Sequence, residues 1–136
     1  KGLQHFSKKD PNLSNKFKKK YEGNKLKIKK IIKFFNLKNI KIIDKDATKV
    51  SSKDFKNFKF CLVILDMDLY FPTKQVLNAI EKRISSRGKI LFDEANKKLW
   101  EGEKKAMNEF LKSNNKNYKK EIISKLYQPD VILEKK

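Results

Sequence analysis

Two short stretches of this 136-residue chain end in acids. Asp66-Met67-Asp68 follows the apolar run Phe60-Cys61-Leu62-Val63-Ile64-Leu65, and Asp93-Glu94 follows Ile90-Leu91-Phe92. Carboxylates gathered at one place can hold a hard, oxygen-preferring cation such as Mg²⁺, or take a proton from a substrate hydroxyl. Short apolar runs bounded by polar turns read as buried parallel strands. Ligands of open α/β sheets collect at the carboxyl ends of such strands. Adjacent strands lie ~4.8 Å apart, so Asp66 and Asp93 are expected to project into one small volume. Carboxylates that close repel, and their pKa values rise unless a cation neutralises them. Asp68, two residues beyond Asp66, suits a general base in the same pocket.

The elements that position these acids follow from periodicity. Residues 1–25 are polar and turn-rich and read as a loop-rich segment. Ile28, Ile31, Ile32 and Phe35 have the spacing of one helical face, ending near Asn36. Ile40–Ile43 reads as a short strand, Asp44–Ser52 as a polar loop and Ser52–Phe58 as a helical turn. After the strand at 60–65, Pro72 suits a first helical position. Val76, Leu77, Ile80 and Ile84 give that helix its buried face, and Gly88 its C-terminal cap. The strand 89–92 completes a βαβ unit. A helix from about Gly102 to Ser113 buries Ala106, Met107, Phe110 and Leu111, with Glu101 and Glu103 at its positive end. Strands 121–126 and 130–134, joined by Tyr127-Gln128-Pro129, are expected to pair as an antiparallel hairpin. The fold class is therefore α/β: one domain over 1–136 with a mostly parallel sheet and an antiparallel C-terminal edge.

Composition narrows the function classes. The formal net charge of +19 raises nucleic acid as a partner, but Arg83 and Arg87 are the only arginines. Arginine is the usual residue for bidentate phosphate and base recognition. Lysines spread along the chain read as a solvated surface, and no specific nucleic-acid partner is expected. Cys61 excludes a disulfide framework and reads as a buried, inert thiol. No apolar stretch is long enough to span a bilayer and no signal peptide is visible, so a cytoplasmic location is expected.

Three motifs in order carry a resemblance. Leu65-Asp66-Met67-Asp68-Leu69-Tyr70-Phe71-Pro72-Thr73, Gly88 through Asp93-Glu94, and Trp100-Glu101-Gly102-Glu103 through Glu109-Phe110 are similar to the macrocin O-methyltransferase family. Lys45-Asp46-Ala47-Thr48 and Gly2-Leu3-Gln4-His5-Phe6 also fit. The resemblance implies a class I fold using S-adenosylmethionine, a divalent metal such as Mg²⁺ and a sugar or similar hydroxylated substrate; a homo-oligomer is compatible with it. It places Asp66, Asp93 and Glu94 at the metal, Asp68 as the base and Asp46 near the cofactor adenine. Arg87 stands where a second glycine is common, Glu101 where proline is, and Glu94 where some relatives carry Asp.

The first two strands and the Gly-rich turn of such a Rossmann-like domain have no counterpart in the sequence. The expectation is therefore a C-terminal portion that alone binds the cofactor poorly and turns over little or nothing. Single residues outside the motifs carry less: His5 reads as packing or solvent-facing, Tyr70 as lining or packing, and Trp100 as flanking the substrate or stapling its loop. Three rival classes remain, two of them built on the same acids. A haloacid-dehalogenase-type phosphotransferase would use Asp66 as nucleophile. A glycosyltransferase would grip a diphosphate through Asp66 and Asp68. A lysine-rich nucleic-acid binder would lose affinity steeply with salt.

Overall fold

A computed structural model describes residues 7–10, 24–123 and 128–136. Two compact units divide the chain: residues 24–45 belong to the first, and 7–10 together with everything from Asp46 onward to the second. The predicted positions of Gly2–Phe6, His5 among them, and of Tyr127 lie outside the described residues. No described helix is long and apolar enough to cross a membrane.

In the first unit, helix α1 spans Lys25–Phe34, and the Asn24 side chain caps it by accepting the N–H of Lys27. Lys25 pairs with Asp44. The expected strand at 40–43 does not form a strand among the described residues. Its isoleucines favour extended backbone, but an extended segment becomes a strand only when a neighbouring backbone takes up its N–H and C=O groups.

The second unit is a four-stranded sheet with two helices. Strand β1 (Phe60–Leu65) leads into α2 (Tyr70–Ile80) and then β2 (Ile84–Phe92). Helix α3 (Glu101–Asn114), β3 (Tyr118–Ile122) and β4 (Val131–Lys135) follow. The spatial order is β1-β2-β4-β3, with β1 parallel to β2 and β4 antiparallel to both its neighbours. Three strands thus run one way and one returns, as expected. Leu65, Leu77, Ile90, Phe92, Met107 and Leu133 are buried in a common core.

Several local expectations are corrected. Gly88 does not cap α2; it lies inside β2, where an irregularity shifts the register between Phe60↔Ile84 and Leu62↔Lys89. Arg87 carries a positive φ of 60° in this bulge. A Cβ on Gly88 would stand 2.8 Å from the Ser85 carbonyl oxygen and 3.0 Å from that of Phe60. The residue is glycine because two backbones close on it. Ile84 accordingly opens the strand and does not extend the helix. Pro72 is the third residue of α2, still within the first turn, whose N–H groups have no intrahelical acceptor.

Strand β3 begins three residues earlier than predicted. It is an edge strand whose residues after Tyr118 are exposed, so its lysines suit the solvated edge and hid its pairing. The apolar run of β1 is not buried on both faces. Leu62 and Ile64, on one face, are 52% and 62% exposed, so that face of β1 is uncovered, and Cys61 is exposed as well at this edge of the described sheet.

Candidate active site at the sheet edge

The pairing register builds the site. Leu65 pairs with Phe92, so the residues that follow, Asp66 and Asp93, leave their strands side by side. The Asp93 N–H still donates to the Leu65 carbonyl at 3.0 Å. On the other side Phe92 pairs with Val131, and β4 runs antiparallel. The residue before Val131, Asp130, therefore stands next to Asp93, and its N–H donates to the Phe92 carbonyl at 3.0 Å. Three neighbouring strands thus bring Asp66, Asp93 and Asp130 to one edge.

Asp68 joins them through a tight turn. Its φ is 61°, and the Leu69 N–H donates to the Met67 carbonyl across it. A bond closing over a single left-handed residue makes a γ-turn of the strained kind. Asparagine and aspartate tolerate this conformation better than most residues, yet it costs on the order of 1–2 kcal/mol. The turn delivers the half-buried Asp68 carboxylate into the field of Asp66, Glu94 and Asp93. Burial first, and then those three charges, pushes its pKa up to about 7. Burial and the charges of Asp66 and Asp130 also raise Asp93. Burial and Asp93 raise Glu94, against a 2.6 Å hydrogen bond from Gln128.

Two acids to which the residue pattern gave no role in the site brace this edge. Glu103, fully buried in the first turn of α3, accepts the Glu94 N–H with Oε2 at 3.2 Å. Burial pushes its pKa up to about 9, and its Oε1 has no hydrogen-bond partner among the described residues. Asp130, 3% exposed, accepts the Asn96 N–H at 3.0 Å. The loop after β2 is thus held from both sides by buried carboxylates.

Asp130 had a legible signal. An antiparallel strand starts where its parallel neighbours end, so an acid just before the apolar Val131-Ile132-Leu133 lands at the same edge as Asp93. Glu103 had a weaker one: its place in the helix's first turn suggested only an interaction with the helix dipole.

The structure brings Asp66, Asp68, Asp93 and Glu94 together. It does not bring Asp46 into that group. The Asp46 carboxylate accepts from the Thr48 N–H at 2.9 Å and hydroxyl at 2.8 Å, capping the turn Ala47–Lys49. Trp100 is buried at the start of α3, which favours a staple on its loop. Tyr70 is also buried; its hydroxyl donates to Glu109 at 2.5 Å and accepts from Lys74. The donor chemistry at the edge, all carboxylate oxygen, suits a hard cation. Its arrangement does not close a ligand set: among the described residues, no three His, Cys, Asp or Glu side chains converge closely enough to hold a metal ion.

The fold has counterparts among solved structures. A crystal structure of CalS11, calicheamicin methyltransferase, superposes on 98% of this chain with a TM-score of 0.78 at 18% identity, using 56% of its own length. The fold is part of a methyltransferase fold. An apo structure of CalS11, described as a TDP-rhamnose 3'-O-methyltransferase of calicheamicin biosynthesis, matches 68% of this chain with a TM-score of 0.56 and 25% identity. That match uses 39% of the CalS11 chain, so this chain spans about half the length of its structural neighbours. No protein-family model matches the sequence, and no curated protein matches it.

Proposed function

We propose that this chain carries the acceptor side of an S-adenosylmethionine-dependent O-methyltransferase of the macrocin type, acting on a hydroxyl of a sugar or similar small molecule. The observation that carries the reading is the placement of Asp66, Asp68 and Asp93 at one carboxyl edge of two paired parallel strands, near enough that, after burial, Asp66 and Asp93 raise the pKa of Asp68. The likeness to CalS11 supports it. Asp68 takes the proton of the acceptor hydroxyl; S-adenosylmethionine, when bound, would supply the methyl to that oxygen, its sulfur–methyl bond breaking and S-adenosylhomocysteine leaving. Positioning supplies most of the rate.

Asp66, Asp93 and Glu94 are the residues that would meet a divalent cation such as Mg²⁺, which when bound lowers the pKa of a coordinated hydroxyl. They must draw closer to do so, and no step of the proton transfer to Asp68 depends on it. Asp46 is the residue proposed to lie near the cofactor adenine, in addition to its capping role.

The test is methyl transfer. The protein in which this chain occurs, not the 136-residue chain by itself, should with S-adenosylmethionine and a panel of nucleotide-activated deoxysugars yield a product one methyl group heavier. Asp68→Asn should lower turnover by roughly 10²–10⁴-fold, the range for a lost general base. No transfer to any hydroxylated sugar, or full turnover by Asp68→Asn, would overturn the reading. The 136-residue chain alone is proposed to bind S-adenosylmethionine weakly and to turn over little or nothing; micromolar binding by calorimetry would contradict that.

A further inference from the structure

We infer that Asp10 is a positioning residue for Asp68, reaching the site from 58 residues upstream through a short strap, Ser7–Asp10. The inference deepens the methyltransferase reading and rests on it for the role of Asp68.

Helix α2 opens without a cap of its own. Its N-cap residue is Leu69, which has no side-chain group to accept a hydrogen bond. The first N–H of the helix, that of Tyr70, is instead taken by Asp10 Oδ1 at 3.0 Å, in a buried contact. Asp10 is 4% exposed. Its other oxygen accepts the Ser7 N–H at 3.0 Å and the Ser7 hydroxyl at 2.6 Å, so the strap is folded around the same carboxylate.

The place where Asp10 binds is the point where the strained turn must be held. The Leu69 N–H closes the turn over Asp68, and the Tyr70 N–H is next in line. A left-handed aspartate persists only where its surroundings over-determine it. The turn bond fixes one side of Leu69 and the Asp10 bond fixes the other. A negative charge at the start of α2 also favours the helix.

A second observation points the same way from a different element. Gly102, at the start of α3, is packed against the Asp10 carboxylate: a Cβ there would fall 1.6 Å from Oδ1 and 2.7 Å from the Tyr70 nitrogen. The start of α3 has been kept bare where Asp10 docks. Lys9 adds a surface anchor, donating to Tyr70 Oη at 2.9 Å and to Glu109 Oε1 at 2.7 Å. The strap therefore ties α2 and α3 together at the acidic edge.

The test compares Asp10→Ala, Asp10→Asn and Gly102→Ala in the protein, by residue-resolved amide exchange, by the ¹³Cα and ¹³Cβ shifts of Asp68, and by methyl transfer. Gly102→Ala leaves Asp10 in the sequence but removes its seat. Asp10→Ala and Gly102→Ala should each raise Tyr70 amide exchange about tenfold or more while β2 and β4 amides keep their protection. Both should shift the Asp68 resonances away from their left-handed values. The turnover number should fall about tenfold with KM for the sugar little changed, and Asp10→Asn should recover part of the loss. Unchanged Tyr70 exchange and Asp68 shifts in Asp10→Ala would overturn the inference, as would loss of protection spread evenly over the sheet. Absence of methyl transfer in the unsubstituted protein would sink the functional reading alone, since exchange and shifts still decide whether Asp10 holds the turn.

Discussion

Glu103 Oε2 lies 3.2 Å from the backbone nitrogen of Glu94, so a buried acid on one helix holds the acid pair that ends β2. With its pKa pushed up to about 9, Glu103 keeps its proton at neutral pH. It can then be both buried and uncharged, which removes most of the cost of placing a carboxyl there. Its conservative and radical replacements should therefore behave very differently.

Glu103→Gln retains an oxygen acceptor for the Glu94 N–H and matches the shape of the neutral acid. Its stability at pH 7 should lie within about 1 kcal/mol of the unsubstituted protein. Glu103→Ala leaves a cavity and an unsatisfied N–H, and should cost about 2–4 kcal/mol. Urea unfolding at pH 7 measures both; equal losses would show that the side chain acts by volume alone.

The same burial sets a pH dependence. Asp68, raised to about 7, and Glu103, raised to about 9, bind a proton more tightly folded than unfolded. Their contribution is complete below their ordinary values near 4 and is lost as pH rises through 7 and then 9. Glu109 has the opposite sign. Lys74 first, and then Lys9 and Tyr70, hold it down at about 2, so its contribution persists until strongly acid conditions. Stability should therefore be greater at pH 5 than at pH 8.5, with lysines charged at both. Glu103→Gln should flatten the decline between about pH 5 and 9, most visibly above pH 7, where Asp68 no longer contributes to it. A urea midpoint that rises from pH 5 to 8.5 would contradict the burial of these acids.

The bulge in β2 makes a further pair of predictions. Gly88→Ala places a methyl 2.8 Å from the Ser85 carbonyl and should destabilise by about 1–3 kcal/mol. Arg87 occupies left-handed backbone, so Arg87→Gly removes strain while adding freedom to the unfolded chain, and the balance should lie between neutral and about +1 kcal/mol. Thermal unfolding of the two variants checks the sign of each. Stabilisation by Gly88→Ala would mean the β1–β2 backbones are not in close contact.

Much of this was legible in the residues, for physical reasons that also mark the limit. The strand at 60–65, the helices α2 and α3 and the parallel pairing of β1 with β2 follow from periodicity, because burial of one face dictates spacing. Asp66 and Asp93 follow from that pairing alone. Asp10, Glu103 and Asp130 act on backbone N–H groups distant in sequence, and no local pattern encodes which N–H a carboxylate will find. Gly88 was ambiguous because a cap and a bulge both call for glycine. Cys61 was misread because an apolar run shows that a strand is apolar, not how many of its faces are covered.

The acids at the edge also predict a response to divalent cations. After burial, the charge of Asp66 helps to raise each of Asp68, Asp93 and Glu94, so a nearby divalent cation would relieve a repulsion that exists before it binds. No three of these side chains converge on one point among the described residues, so binding must first draw them together, and the affinity should be weak. At pH 8.5, where the repulsion is greatest, millimolar Mg²⁺ should raise the thermal midpoint, while NaCl of equal ionic strength should do so less. Asp93→Asn should abolish the difference, whereas Asp44→Asn, at an exposed ion pair in the other unit, should preserve it. A midpoint indifferent to Mg²⁺ would remove the cation from the proposed chemistry and leave Asp68 to act as base without it.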